Sequence, residues 1–140
     1  MNNVFENCVS LTSLNLSNFD TSQVTEMYRM FNNCKSLVYL DLSNFNTTKV
    51  NGMYYMLNNC SSLKYLNIKK FTAKGEFYNY QDMFTKTSKN LVICVNIYNV
   101  ESIINQIKGI ECITIDCSLD WEKHRKRLDE NNYICIDKCK

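Results

Sequence analysis

Two apolar periodicities alternate along this chain. Val24, Met27, Phe31 and Cys34 fall at offsets 0, 3, 7 and 10, which is one face of a short helix. Val50, Met53, Leu57 and Cys60 repeat those offsets, and Phe77, Tyr80, Phe84 and Thr87 repeat them again. Between the helical patterns runs Leu37-x-x-Leu40-x-Leu42, which ends in strict alternation. Alternation predicts a strand with Leu40 and Leu42 facing inward and Tyr39, Asp41 and Ser43 facing outward. Strands joined through helices must run parallel, and right-handed crossovers are expected.

The pattern is a repeat. Cys8, Cys34 and Cys60 are 26 residues apart, as are Leu11, Leu37 and Leu63, and Phe19, Phe45 and Phe71. Met27 and Met53 keep the same step, while Val24 and Val50 are followed by Phe77 with one extra residue, in the segment that holds Gly75. A fixed period of this length means supersecondary units that bury their apolar faces only against their neighbours. Taken in order, the pattern predicts strands near Ser13–Ser17, Val38–Ser43, Lys64–Lys69, Leu91–Val95 and Ile110–Asp116. Helices are predicted near Ser22–Asn32, Lys49–Asn58, Phe77–Phe84 and Val100–Lys108, with Asp20, Ser22 and Gln23 as N-cap candidates for the first. Gly109 is expected to cap the fourth helix. Ser118 caps a last helix, with Asp120 and Glu122 in its first turn and Lys126 and Arg127 in its last, both favourable to the dipole. Met1–Cys8 reads as the end of a helix whose start lies upstream, so the chain is expected to be a piece of a longer protein.

The strings MFNNCKSLVYLDLSNFNTTKV and FENCVSLTSLNLSNFDTSQV carry a family resemblance. They resemble the BspA-type leucine-rich repeat, roughly M-F-x-x-C-x-S-L-x-x-L-D-L-S-N-F-x-T-S-x-V, found in large surface proteins of bacteria and parasitic protists. The match is specific from Val4 to about Phe71 and degraded from Thr72 to Val95. The resemblance implies an α/β leucine-rich-repeat solenoid, with a parallel β-sheet on one face and short helices on the other. It also implies an extracellular or cell-surface setting, and a strand face that binds a protein or glycan. Residues 1–95 are then the repeats, and 96–140 a cysteine-containing C-terminal cap in the same domain, since such arrays need a terminal unit with a polar outer face.

Composition narrows the alternatives. With 140 residues, 45% hydrophobic and 21% charged, the chain has the make-up of one globular domain able to bury a core. No apolar run reaches 18 residues, so no transmembrane segment is expected. A formal charge of +2 argues against a nucleic-acid partner. No paired acid, activated nucleophile or phosphate-binding loop is visible, so no enzyme, catalytic residue or cofactor is expected.

The eight cysteines divide into two sets. Cys8, Cys34 and Cys60 hold one repeat position beside Phe and Met, which predicts a structural column of buried, reduced thiols. Cys94, Cys112, Cys117, Cys135 and Cys139 do not follow the period. In the oxidising surroundings that the resemblance implies, they are candidate disulfides with one thiol left over. In a reducing compartment Cys112, Cys117, Cys135 and Cys139 could hold zinc instead, with His124 as an alternate ligand. His124 itself lies in the charged run EKHRKR and reads as part of a solvated helix face. Asn15, Asn46 and Asn59 each begin an N-x-[ST] triplet, a common product of Asn-rich sequence.

The function expected on this reading is a non-enzymatic binding or adhesion module. Its strand face would present the columns Ser13/Tyr39/Tyr65, Asn15/Asp41/Asn67 and Ser17/Ser43/Lys69 at the strand spacing of about 4.8 Å. Tyr39 and Tyr65 are expected side by side on the exposed surface, as aromatic anchors. Two other functions fit the same pattern: spacer repeats within a longer protein, and a small intracellular interaction domain with a zinc-stabilised cap.

Overall fold

A computed structural model describes residues 1–73, 77–103, 106 and 112–114. Its sheet has four parallel strands in sequence order: β1 (Tyr39–Asp41), β2 (Tyr65–Asn67), β3 (Val92–Cys94) and β4 (Cys112–Thr114). Tyr39 stands opposite Tyr65, Tyr65 opposite Val92, and Val92 opposite Cys112. The first two steps, 26 and 27, are the repeat period and its one-residue slip. β4 adds to the same sheet from beyond residue 95. No strand forms at Ser13–Ser17, where one was expected. That segment lies at the edge, and the backbone bond to the next unit falls just before it, Val38 N–H to the Thr12 carbonyl at 3.1 Å.

Parity within the strands follows the leucine pattern. Leu16, Leu40, Leu42, Leu66, Ile68, Ile93 and Val95 are buried in one hydrophobic cluster. Met27, Met30, Phe31, Met53, Met56, Leu57, Tyr80, Met83 and Phe84 meet them from the other side. At roughly 25 cal/mol per Å² of apolar surface, this shared core is what holds units that cannot close alone.

The expected helices at Ser22–Asn32 and Lys49–Asn58 are absent; both segments are chains of turns. The reason lies in the backbone. Arg29, Asn33, Tyr55, Asn59, Asp82 and Lys86 all have φ between 51 and 67°, as do Asn3 and Asn7. That region is incompatible with a right-handed helix. The N–H groups that would bond four residues back reach instead into the next unit. Met27, Arg29, Phe31 and Asn33 donate to the carbonyls of Gly52, Tyr54, Met56 and Asn58 at 2.8–3.1 Å. Met53, Tyr55, Leu57 and Asn59 do the same to Asn79, Gln81, Met83 and Thr85. Bonds at every second residue leave the odd-numbered N–H groups facing the following unit, while the apolar side chains still turn inward. Helical spacing of apolar residues thus appears without a helix.

Asp20 is no helix cap either: its carboxylate accepts the Ser22 N–H at 2.9 Å in a local turn, which holds its pKa below the ordinary value. The third expected helix contributes a 3₁₀ turn at Phe77–Tyr80. Val100–Lys108 shows a 3₁₀ turn at Glu101–Ile103 and a helical Gln106. The rest of that helix, Gly109 and the Ser118 helix lie outside the described residues. Among the described residues no helix is long and apolar enough to cross a membrane.

Candidate functional site on the strand face

The outward positions of the strands do not form one open grid. Ser13, Asn15, Ser17 and Lys69 are exposed, and Tyr39, Asp41 and Ser43 are half-buried. Tyr65 and Asn67, expected on the exposed surface, are 1% and 6% accessible. Their neighbours Val92 and Cys94 are buried as well. The expectation of two exposed tyrosines is therefore corrected: their rings do stack, with centroids 5.1 Å apart and planes 15° off parallel, but only Tyr39 reaches solvent. Alternation decides which side of a sheet a residue takes; it does not decide whether that side is covered. Burial raises the Tyr39 phenol, and the adjoining Asp41 carboxylate, which accepts its hydrogen bond, raises it further.

The Asn15/Asp41/Asn67 column has a structural task. Each side-chain oxygen accepts the N–H two residues on: Ser17 at 3.0 Å, Ser43 at 2.8 Å and Lys69 at 3.1 Å. These Asx turns bend the chain away at the end of each strand position. Asn46, which begins another N-x-[ST] triplet, likewise accepts the N–H and hydroxyl of Thr48.

Cys34 and Cys60 are buried free thiols, and Cys8 is a half-buried one. The Cys34 S–H donates to the Phe5 carbonyl at 3.1 Å, and Cys60 to that of Phe31 at 3.2 Å. Burial, reinforced by the adjacent thiol of the column, pushes Cys34 up to about 11 and Cys60 up to about 12. Thiols so placed are packing groups, not nucleophiles. Of the second cysteine set, Cys94 is buried in β3 and Cys112 lies in β4. Cys117, Cys135, Cys139 and His124 fall outside the described residues. Among the described residues no three metal-ligating side chains converge.

Three repeat columns are structurally prominent yet were not singled out as sites. Asn33 Nδ2 donates to Asn7 Oδ1, and Asn59 Nδ2 to Asn33 Oδ1, both at 2.7 Å. Thr21 and Thr47 are buried and bond the backbone of the next unit. Tyr28 stacks on Tyr54 at 4.0 Å, and Arg29 lies 5.5 Å from the Tyr55 ring centre. The same 26-residue step marks each in the sequence, but a polar repeat position looks alike whether it bonds a ligand or the next unit.

No curated protein and no solved structure matches this chain. The geometry above comes from units repeated along residues 1–103, and a family model matches over nearly the same span, residues 1–108. The chain belongs to the family described as Mycoplasma protein of unknown function, DUF285.

Proposed function

We propose that this chain is a non-enzymatic binding module of a surface protein, built as a BspA-like leucine-rich-repeat solenoid, that engages a protein or glycan through its strand face. The observation that carries this reading is the in-register parallel sheet, with Tyr39 held on Tyr65 at its partly open end. Strand β1 fixes Tyr39 and Asp41, Asx turns hold Asn15, Ser43 and Lys69, and Ser13 extends the same face, so little ordering entropy opposes binding. Tyr39 is the anchor: half-buried, stacked beneath, and open above. Cell-surface location and disulfides among the later cysteines belong to the same reading.

A spacer role is the second reading, favoured by the way Asn15, Asp41 and Asn67 spend their side-chain oxygens on their own backbone. Screening the purified chain against immobilised matrix proteins and a glycan array separates the two. Binding that falls on changing Tyr39→Ala supports the module; retention of every ligand in that variant moves the site off the strand face, and no ligand at all supports the spacer.

A further inference from the structure

We propose a second binding surface, on the turn segments opposite the strands, whose ligand is an acidic saccharide. One end of it is an aromatic ledge. Tyr28 and Tyr54 stack, and Tyr55 meets Tyr54 edge to face at 5.8 Å; all three are half-exposed. The exposed Arg29 guanidinium lies over Tyr55. Tyr55 hydrogen-bonds Asp82, and Asp82 forms the near wall of a cleft of about 310 Å³. Ledge and cleft are thus one continuous surface.

The cleft exists because the fourth unit departs from the repeat. Leu63 N–H bonds the Cys60 carbonyl, three residues back. In the strand register Val92 stands for Tyr65 and so Asn90 for Leu63, yet Asn90 N–H bonds Ser88 Oγ and it is Leu91 N–H that bonds the Ser88 carbonyl. The turn bond is thus displaced by one residue, which reshapes the turn that contains Ser88 and Lys89. At the ladder position of Asn7, Asn33 and Asn59 the fourth unit carries Lys86, with the same positive φ of 58°. A lysine there ends the amide ladder and puts an ammonium at the cleft instead.

The cleft's charges are sorted by existing bonds. Thr85 Oγ1 donates to Asp82 at 2.9 Å and the Tyr55 hydroxyl takes the same carboxylate, so Asp82 is engaged. Lys86 and Lys89 are exposed and have no ion pair among the described residues. Ser88 Oγ accepts the Asn90 N–H, which leaves its proton to donate. Two ammonium groups and a hydroxyl donor suit a carboxylate or sulfate. A volume near 300 Å³ is the lower end of small-ligand sites, the size of one sugar ring. The ledge supplies what a free ion does not need: flat π faces against which the C–H side of a pyranose packs. An acidic substituent in the cleft and a neighbouring ring on the tyrosines satisfy both halves at once.

Calorimetric titration of the full chain tests this. The probes are a heparin-derived tetrasaccharide, a hyaluronan tetrasaccharide, neutral chitotetraose, sodium sulfate and tetraglutamate. We expect at least one acidic tetrasaccharide to bind, more weakly as salt rises, and better than the other three probes; binding of hyaluronan shows that a carboxylate suffices, and binding of the heparin fragment alone shows that sulfate is needed. Lys86→Gln with Lys89→Gln should weaken it by about tenfold or more, and Tyr54→Ala by a few-fold. An unaltered melting temperature in the lysine variant shows that the fold is intact. The proposal fails if no acidic saccharide binds, if sulfate or tetraglutamate binds equally well, or if the lysine variant binds like the parent.

Discussion

Thr21 holds both backbone polar groups of Asn46: its Oγ1 donates to the carbonyl at 3.1 Å and accepts the N–H at 2.8 Å. Thr47 repeats the arrangement on Thr72, at 3.1 and 2.8 Å. Both threonines are almost fully buried and their bonds to Asn46 and Thr72 part-buried, so water replaces these partners only incompletely. Thr21→Val and Thr47→Val keep the shape but orphan a donor and an acceptor each. Chemical denaturation should show a loss of about 1–3 kcal/mol per site, with Thr→Ser retaining most of the stability. Equal stability of valine and serine variants would show that the hydroxyls contribute packing only.

Asn33 combines a ladder bond on each side with a φ of 67°. Asn33→Ala forfeits the bonds and adds left-handed strain, for an expected cost of about 2–3 kcal/mol. Asn33→Gly forfeits the bonds alone and should cost roughly half as much. The ordering of the two variants in a urea titration is the check.

Tyr65→Ala should destabilise the fold by about 3–5 kcal/mol, because a fully buried ring is removed from a site flanked on both sides by strands. Tyr39→Ala, at the half-open end of the same pair, should cost distinctly less. Similar losses for both would mean that Tyr39 is buried in solution.

Gly52 is required by its neighbour's ring. A Cβ there would stand 2.5 Å from Tyr28 Cε1 and 2.9 Å from its hydroxyl. Gly52→Ala must displace Tyr28 from its stack on Tyr54, at an expected cost of about 1–2 kcal/mol. Adding Tyr28→Ser removes the clash, so the double variant should be less destabilised than the sum of the two singles.

The thiol column makes stability depend on alkaline pH. Cys34 and Cys60 ionise near 11 and 12 in the folded chain, against an ordinary 9.0, so the folded state retains protons that the unfolded state gives up. Their contribution is complete below about pH 9 and declines as pH rises from there through the folded values. Melting temperature should therefore fall between pH 9 and 11, and less steeply in a Cys34→Ala/Cys60→Ala variant. Parallel slopes in the two proteins would locate the alkaline sensitivity elsewhere.

The repeat and its step could be read from residues alone, since each unit buries the same few side chains and so needs the same types at the same places. Leu40, Leu42, Leu66 and Ile68 announced the inner face of the sheet, and Cys34 and Cys60 their burial. What the sequence left open was where the backbone bonds would go. Offsets of 3, 7 and 10 suit a helix, but they equally suit a chain of turns whose N–H groups reach the next unit, and the left-handed residues Arg29 and Tyr55 gave no warning in their side chains. The fate of the polar columns was likewise undetermined. Asn33 and Asp41 are both amenable to ligand binding, and only contact with units 26 residues away, or with the chain two residues on, committed them to structure. Burial of Tyr65 was decided at the same level: alternation names a side of the sheet, but whether water reaches that side depends on what the rest of the fold lays against it.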